Sequence, residues 1–436
     1  TAAATIGVGD ATQNFNLSNA EIGQITTTGL LTIGVATNAG GITVGTTEAV
    51  NAGAKNVELI TAGTLAVDAT NGISTTGNLT FTADAMTLAG GAISGANVTL
   101  RPASAATTIG VEDNSKTLSL TDAELDTVST AGTLTIGAAS NTGGITIGTD
   151  AALTQGAKNF QFTTAGNIAI SGNNFTTTGN VGLTADNAGN TAAITSGAGV
   201  VGAAALTATA DAGIALNTSV TTLTATNSTS GNIVIAEATG VDLAGLTQTT
   251  AGNIQVVTTN GSITTSGAIS ANGAGTVTLT AGGGTSTLTV SNPITSGSGA
   301  VQLTAVDGVT LNGANGDVTT TGTYTVNADS NADGTGTYSQ NNAGSAVSSG
   351  AVQITAADVV LTGTINSGAA NVTILTSTAA ATIGIEDASK SLNLTDAELD
   401  QVSSTGTINI GSAANTGGIT IGTDAALTQG AKNFQF

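Results

Sequence analysis

One segment of the chain occurs twice almost unchanged, and this internal repeat limits the possible folds more than any other feature of the sequence. Residues 105–162 return as residues 379–436 without a gap, so that Ile109 corresponds to Ile383. A more diverged copy opens the chain, where Ile6 corresponds to Ile109. A unit repeated within one chain is typical of solenoids and other repeat architectures, in which neighbouring units bury a shared core.

Short segments between the copies alternate aliphatic residues with Thr, Asn or Ser. Examples are NLTFTA at 78–83, TVTLTA at 276–281 and VQITA at 352–356. Period-two alternation bounded by Gly, Asn and Asp is the pattern of short β-strands between turns. The strand centres recur about every 10 residues, so two or three strands make a unit of about 20 residues. We therefore predict an all-β chain that forms a β-helix or solenoid with coils of about 20 residues.

The composition suits a thin β core. Only 2% of the residues are aromatic and 8% are charged, whereas 61 of the 436 are Gly. The alternative is a row of tandem immunoglobulin-like β-sandwiches, because the offset of 103 residues between Ile6 and Ile109 is close to the length of one such domain. The second offset, 274 residues from Ile109 to Ile383, is not a multiple of the first. The irregular spacing and the scarcity of rings favour the solenoid.

We divide the chain into four segments. A first repeat module with β-helical coils covers 1–104, and the second copy of the module covers 105–165. Diverged coils with a loop insertion near 327–344 follow at 166–377, and the third copy covers 378–436. Because residues 1–59 and 378–436 are copies of one module, we expect either an excerpt of a longer repeat or a subunit that stacks on its neighbours.

The residue inventory excludes several kinds of function. The chain has no Cys and no His, which removes disulfides, a Ser-His-Asp triad and the usual zinc ligands. Six basic residues stand against 27 acidic ones, a net charge of −21, and nucleic-acid binding needs Lys and Arg for the phosphates. The most apolar stretch, 197–216, is diluted by Gly, Ala and Thr, so we expect no membrane span. We also expect no enzymatic activity.

A candidate calcium loop lies at residues 329–334, with the sequence DSNADG. Asp329, Asn331, Asp333 and the following Gly match the first half of a calcium loop, in which alternate oxygen ligands converge on the ion. The twelfth position is Gln340 instead of the bidentate Glu. The alternative interpretation is a surface turn rich in Asn, Asp and Gly. Calcium is the one cofactor that we predict.

Two acidic clusters in the repeated module are weaker calcium candidates. They are Asp122, Glu124 and Asp126 in the second copy and Asp396, Glu398 and Asp400 in the third. The preceding Thr121 and Thr395 have capping-box spacing to Glu124 and Glu398, which predicts a single helical turn with solvated carboxylates. All five lysines lie in the module copies, and we predict salt bridges from them to carboxylates of neighbouring coils or chains.

The strand units resemble filamentous haemagglutinin-like repeats. The resemblance rests on ANGAGTVTLTAGGG at 271–284, ITSGSGAVQLTAVDGVTLNG at 294–313 and GTINSGAANVTIL at 363–375. Such repeats occur in large bacterial exoproteins. The resemblance implies a right-handed β-helix, an extracellular or cell-surface location, and a role in adhesion, aggregation or biofilm matrix.

From these features we expect a structural fibre or surface adhesin segment that builds a stiff β-solenoid rod. Its partner would be itself, through end-to-end or lateral assembly, together with host or matrix glycans. An alternative is a binding module with a glycan- or protein-recognition patch, for which segment 324–340 with both tyrosines is the best candidate. A polysaccharide-active β-helix enzyme and an ice-binding surface are weaker alternatives.

Overall fold

A computed structural model describes residues 3–341 and 346–436. Strands make up 48% of the chain and helices 4%, so the protein is all-β. The strands pair in parallel, each with a strand about one coil further along, and stack as a β-solenoid. This arrangement confirms the predicted solenoid. The tandem-sandwich alternative is wrong, because sandwiches are built from antiparallel sheets.

The chain divides into two compact units, Thr1–Asn217 and Thr218–Phe436. The strands of the first unit are Ile6–Val8, Phe15–Leu17, Leu30–Val35, Ile42–Val44, Val50–Asn51, Asn56–Thr61, Thr64–Val67, Ile73–Ser74, Leu79–Thr82, Ala85–Leu88, Ile93–Gly95, Val98–Arg101, Ile109–Val111, Leu118–Leu120, Val128–Thr130, Thr133–Gly137, Ile145–Ile147, Leu153–Thr154, Asn159–Thr164, Ile168–Ile170, Phe175–Thr176, Val181–Ala185 and Ile194–Ala210. The next strand, Ile214–Asn227, contains the division.

The second unit continues with the same kind of short strand. These strands are Ile233–Glu237, Val241–Ala251, Ile254–Thr258, Ile263–Thr265, Ile269–Asn272, Val277–Ala281, Leu288–Val290, Ile294–Ser296, Val301–Ala305, Val309–Leu311, Val318–Thr319, Tyr324–Asn327, Thr337–Gln340, Ala346–Ser348, Val352–Ala356, Asp358–Leu361, Thr364–Gly368, Val372–Thr376, Ile383–Ile385, Leu392–Leu394, Val402–Ser404, Thr407–Ile410, Ile419–Ile421 and Asn433–Gln435. The predicted loop insertion near 327–344 lies partly outside the described residues.

Inward-facing residues at equivalent positions of successive coils form ladders within each unit, and all of them are buried except the half-buried Leu31 and Phe434 at the ladder ends. One ladder of the first unit runs through Leu31, Val57, Leu79, Val98, Leu134, Phe160, Val181 and Leu206. The corresponding ladder of the second unit runs through Ile233, Ile254, Val277, Val301, Tyr324, Val352, Val372, Ile408 and Phe434. Most steps advance by roughly 20 to 28 residues, near the predicted coil length.

Each module copy contains one longer coil of 36 residues. The step from Ile6 to Ile42 has this length, as do those from Val98 to Leu134 and from Val372 to Ile408. The extra length holds an additional strand, which pairs within its own coil, and a helical turn. The three turns are α1 (Asn19–Gln24), α2 (Asp122–Asp126) and α3 (Asp396–Asp400), each with a complete capping box. The helical turns predicted for the second and third copies are therefore confirmed.

The core is filled mainly by aliphatic side chains that alternate with outward polar ones, as in strand Val277–Ala281. Rings are confined to a few coils. Phe160, Phe162 and Phe175 form one cluster with ring centroids 5.3–5.7 Å apart. Leu125 of α2 is fully buried. In the described part of the chain, no helix is long and apolar enough to cross a membrane.

Candidate functional site

The predicted calcium loop is a turn closed by its own hydrogen bonds. The Asp329 carboxylate is 2% exposed and accepts from the backbone N–H of Asp333 at 3.2 Å and of Gly334 at 2.9 Å. The Ser377 hydroxyl, which belongs to a following coil, donates to the same carboxylate at 2.6 Å. Both oxygens of this first predicted ligand are thus directed at protein donors.

The other predicted ligands of this loop are also engaged within the turn. The Asn331 amide donates to Asp333 Oδ2 at 2.7 Å, while Asp333 Oδ1 accepts from Thr335 N at 3.0 Å and from its hydroxyl. The hydroxyl of Thr335 and the amide of Asn331 hold the pKa of Asp333 below its ordinary value. Gln340 lies in a strand and is fully buried, and its amide oxygen makes no hydrogen bond within the described residues. The arrangement fits an Asp/Asn turn better than a calcium loop, and calcium binding stays a prediction.

The acidic residues of α2 are joined to the next coil by a network that we call the inter-coil clasp, formed by Asp122, Asp126, Gln155, Lys158 and the Leu125 carbonyl. Asp122 Oδ1 accepts from Gln155 Nε2 at 2.7 Å, and Asp126 Oδ1 accepts from the same amide at 3.0 Å. Lys158 Nζ donates to Gln155 Oε1 at 2.7 Å and to the Leu125 carbonyl. The lysine therefore caps the carboxyl end of the helical turn, where cations are favoured.

The third copy repeats the clasp around α3. Asp396 Oδ1 accepts from Gln429 Nε2 at 2.8 Å, and Lys432 Nζ donates to Gln429 Oε1 at 2.8 Å and to the Leu399 carbonyl. Lys432 also lies 3.8 Å from Asp400 Oδ1. Hydrogen bonds from Thr428 and Gln429 hold the pKa of Asp396 below its ordinary value. The predicted salt bridges to neighbouring coils are present here and at Lys158, which lies 4.0 Å from Asp126.

The first copy lacks most of the clasp. Gly23 stands where the second copy has Asp126, and Ala52 stands in place of Gln155. Lys55 Nζ keeps one hydrogen bond, to the Ala52 carbonyl at 3.3 Å. Equivalent substitutions in the second and first copies therefore compare a complete clasp with a reduced one within the same protein.

The glutamates of the acidic clusters connect the helical turns to the preceding coil. Glu124 Oε2 accepts from Thr121 N at 2.9 Å, as a capping box requires, and Glu124 Oε1 accepts from Leu88 N at 3.0 Å. Glu398 makes the equivalent bonds to Thr395 N and to Leu361 N. Within residues 3–341 and 346–436, no group of three or more Asp, Glu, His or Cys side chains is arranged to hold a metal ion. The clusters are thus occupied by protein donors.

Three buried aspartates open the same turn in every copy; they are Asp10, Asp113 and Asp387. From the sequence, the adjacent carboxylates at 112–113 and 386–387 are expected to be exposed turn residues, and this expectation is wrong for Asp113 and Asp387. Burial raises the pKa of Asp113, but hydrogen bonds from Ser115 and the charge of Lys116 at 3.5 Å bring it below the ordinary value. The pKa of the other two aspartates is lowered in the same direction. The Asp-x-Ser/Thr motif at equivalent positions was the signal that could have identified them.

A large concave surface lies in the first unit, beside the second module copy. It encloses about 1100 Å³ and is mostly lined by small and amide-bearing residues. Its polar wall includes Lys116, Ser140, Thr142, Asn167, Asp186 and Asn187. This groove is formed by loops of successive coils, so no local sequence motif predicts it.

The predicted recognition patch around 324–340 does not present its rings to solvent. Tyr324 and Tyr338 are fully buried, and their hydroxyls lie 3.4 Å apart. Burial raises the pKa of Tyr324 well above its ordinary value. The tyrosines therefore belong to the core ladders and not to a surface.

We compared the chain with known proteins. No protein-family model, no curated protein and no solved structure matches it.

Proposed function

We propose that the chain is a structural segment of a bacterial surface or extracellular fibre that acts in adhesion, cell aggregation or matrix building and catalyses no reaction. It would belong to the filamentous haemagglutinin-like repeat exoproteins and would assemble with copies of itself. The observation that carries the proposal is the inter-coil clasp, which holds the same atoms together in the second and third copies. A network that joins one coil to the next, and that is reproduced with the module, supports a role in keeping a long stack continuous.

The outer surface supports the same proposal. Outward positions of the strands are mainly Thr, Ser, Asn and Gln, as in Val277–Ala281 and Val301–Ala305. Several charged side chains lie instead at turns, as Asp113 and Asp333 do. Strand faces rich in hydroxyl and amide groups suit contact with glycans and with the equivalent faces of other copies of the chain.

Electron microscopy of the purified chain, with calcium and with chelator, tests this function. We expect narrow filaments with an internal repeat of about 4.8 Å, the spacing of stacked parallel strands. Beads coated with the chain should also aggregate bacteria, whereas beads coated with an unrelated protein of similar net charge should not. Dispersed particles together with inactive beads would refute the proposal.

Thermal unfolding of the same purified chain, with calcium and with chelator, tests the calcium prediction. If residues 329–334 or the acidic clusters bind calcium, chelation should lower the thermal unfolding midpoint. Asp333→Asn should abolish that response if the loop is the site and should leave it unchanged if the clusters are. Because the carboxylates already accept hydrogen bonds from the protein, the alternative outcome is a midpoint that does not depend on calcium.

We propose recognition of glycans as a second function, carried by the groove of the first unit. Amide and hydroxyl groups such as Asn167 and Ser140 are the donors and acceptors that sugars use, and Asp186 is exposed at the rim. A glycan array with the purified chain tests it. Binding that Asp186→Ala weakens, and that Thr319→Ala at an exposed position of the second unit leaves unchanged, would support this function. Equal binding by both variants would exclude the groove.

A further inference from the structure

We infer that the second unit carries a self-complementary face through which two copies of the chain associate side by side in opposite directions. This inference names the lateral contact of the fibre and so rests on the proposed function. The face centres on outward residues at one position of six successive coils. In order along the stack they are Gln255, Thr278, Gln302, Thr325, Gln353 and Thr373, and we call them the glutamine face.

The first observation is a strict alternation of long and short side chains. Consecutive members are register partners in parallel strands, so they are separated by one coil, or about 4.8 Å. The three glutamines are exposed and the three threonines are half-buried. Within residues 3–341 and 346–436, none of the three glutamine amides has a hydrogen-bond partner in the protein. By contrast, Gln155 and Gln429 are both fully engaged.

The second observation is the absence of charge across this face. The adjacent outward column contains Val257, Thr280, Thr304, Asn327 and Thr355, and none of these residues is charged. The second unit as a whole has thirteen acidic and two basic residues. Two copies therefore repel each other at most orientations, and an uncharged strip is where they can approach at the least electrostatic cost.

The alternation specifies how a second copy fits. A two-fold axis that runs parallel to the strands, midway between Gln302 and Thr325, makes the two copies antiparallel. It places each glutamine of one copy opposite a threonine of the other, so that Gln302 faces Thr325, Gln353 faces Thr278 and Gln255 faces Thr373. Long side chains then fill the spaces above short ones, and each free amide meets a hydroxyl. A parallel pair in register would instead oppose Gln to Gln and Thr to Thr.

The size of the face predicts a reversible contact. Six coils at about 4.8 Å and a width of about 15 Å give about 900 Å² buried in total on both copies. This area lies in the range of weak complexes, so we expect a dimer with a dissociation constant in the micromolar range.

Sedimentation equilibrium of the purified chain tests the contact, with two Thr→Glu variants on different ladders. Thr325→Glu places a carboxylate at the centre of the glutamine face and should weaken dimerisation at least tenfold. Thr319→Glu adds the same charge at an exposed position of another ladder and should leave dimerisation unchanged. A chain that stays monomeric up to high concentration, or equal dimerisation by both variants, overturns the inference.

Cysteine cross-linking tests the direction, since the chain has no Cys of its own. A mixture of Gln255→Cys and Thr373→Cys copies should be joined by a short bis-maleimide, whereas Gln255→Cys alone should not, because its two sites would lie about 24 Å apart along the stack. Linkage of Gln255→Cys to itself would refute the antiparallel register. If the Thr325→Glu variant is monomeric but its beads still aggregate cells, the dimer inference holds and adhesion does not depend on it. If dimers form while filaments and bead aggregation are both absent, the proposed function fails alone.

Discussion

Replacing Lys158 by Met should destabilise the coil that carries the clasp by about 2 kcal/mol. The lysine side chain is 18% exposed, and its ammonium donates to the Leu125 carbonyl and to Gln155. Hydrogen bonds to a charged group contribute about 1.5–3 kcal/mol each, and partial burial of the ammonium offsets some of that gain. Burial indeed lowers the pKa of Lys158, although Asp126 and Asp122 raise it. Methionine keeps the packing of the stem but removes the ammonium donor from the helix-terminal carbonyl and from Gln155.

Lys55→Met is the matched control in the first copy. Lys55 keeps a single hydrogen bond at 3.3 Å and has no Gln or Asp partner of the clasp, so its loss should cost about 0.5 kcal/mol. The difference of about 1.5 kcal/mol corresponds to about a tenfold change in a local opening equilibrium.

Hydrogen exchange measures this difference coil by coil, because solenoids open locally. In Lys158→Met we expect protection to fall about tenfold more than in Lys55→Met. The informative group is the backbone N–H of Gln155, which donates to the Thr176 carbonyl. Equal losses in the two variants, or a loss confined to residues far from the clasp, would show that the network does not hold the coils together.

Three further predictions concern the core, the acid range and a turn. Tyr338→Phe should cost about 1 kcal/mol by leaving the buried Tyr324 hydroxyl without its partner, whereas the double Phe variant should be nearly as stable as the parent, as measured by chemical denaturation. The folded-state pKa is lowered at the turn aspartates Asp10, Asp113 and Asp387, so these residues stabilise the fold above their ordinary pKa near 3.8, and this stabilisation is lost as the pH falls below it. Thermal unfolding between about pH 5 and 2 should show the loss, and replacing the aspartates by Asn should reduce it. Gly144→Ala should lower the free energy of unfolding by about 1–2 kcal/mol in chemical denaturation, because Gly144 has φ +78° and a Cβ there would lie 2.9 Å from the Asn167 carbonyl oxygen. Gly156→Ala is the control: a Cβ there meets open space, so this variant should be about as stable as the parent.

The solenoid could be predicted from the sequence because its signal is local and repeated. The alternating aliphatic residues predict the strands, the turn residues predict the corners, and the spacing near 20 residues predicts the length of the coil. The helical turns were also predictable, since Thr121 and Glu124 carry the complete capping-box pattern. The 36-residue coil was not, because an inserted strand and a helical turn do not change the local alternation on either side.

The clasp could not be derived from the sequence, although its parts were noticed. Asp122 and Gln155 are separated by 33 positions, and only the exact length of the intervening coil places one over the other. Period-two strands make this length critical, since an error of one residue turns a side chain to the opposite face. The loop at 329–334 shows the opposite problem, since one composition serves both a calcium loop and a hydrogen-bonded turn.

Comparison of the copies shows what the start of the helical turn requires. In the second copy Glu112 has a left-handed backbone, φ 54°, and its carboxylate accepts from the Asp122 N–H at the first residue of α2. The first copy has Gly9 at the equivalent position, which adopts this φ without strain but offers no carboxylate.

In the first copy, a carboxylate from another part of the chain accepts the hydrogen bond of the equivalent N–H at the first residue of α1. There Asn19 N donates to Glu48 Oε1 at 2.7 Å, and Glu48 lies in the next coil at a position that is Ala151 in the second copy. A carboxylate at a helix start accepts an otherwise unpaired donor and meets the positive end of the helix dipole. The module therefore keeps the interaction while it changes the residue that provides it. The hydrogen bond that Glu112 makes explains why a strained residue is kept at this turn. In the first copy the unstrained Gly9 occurs together with a replacement carboxylate, Glu48 of the next coil.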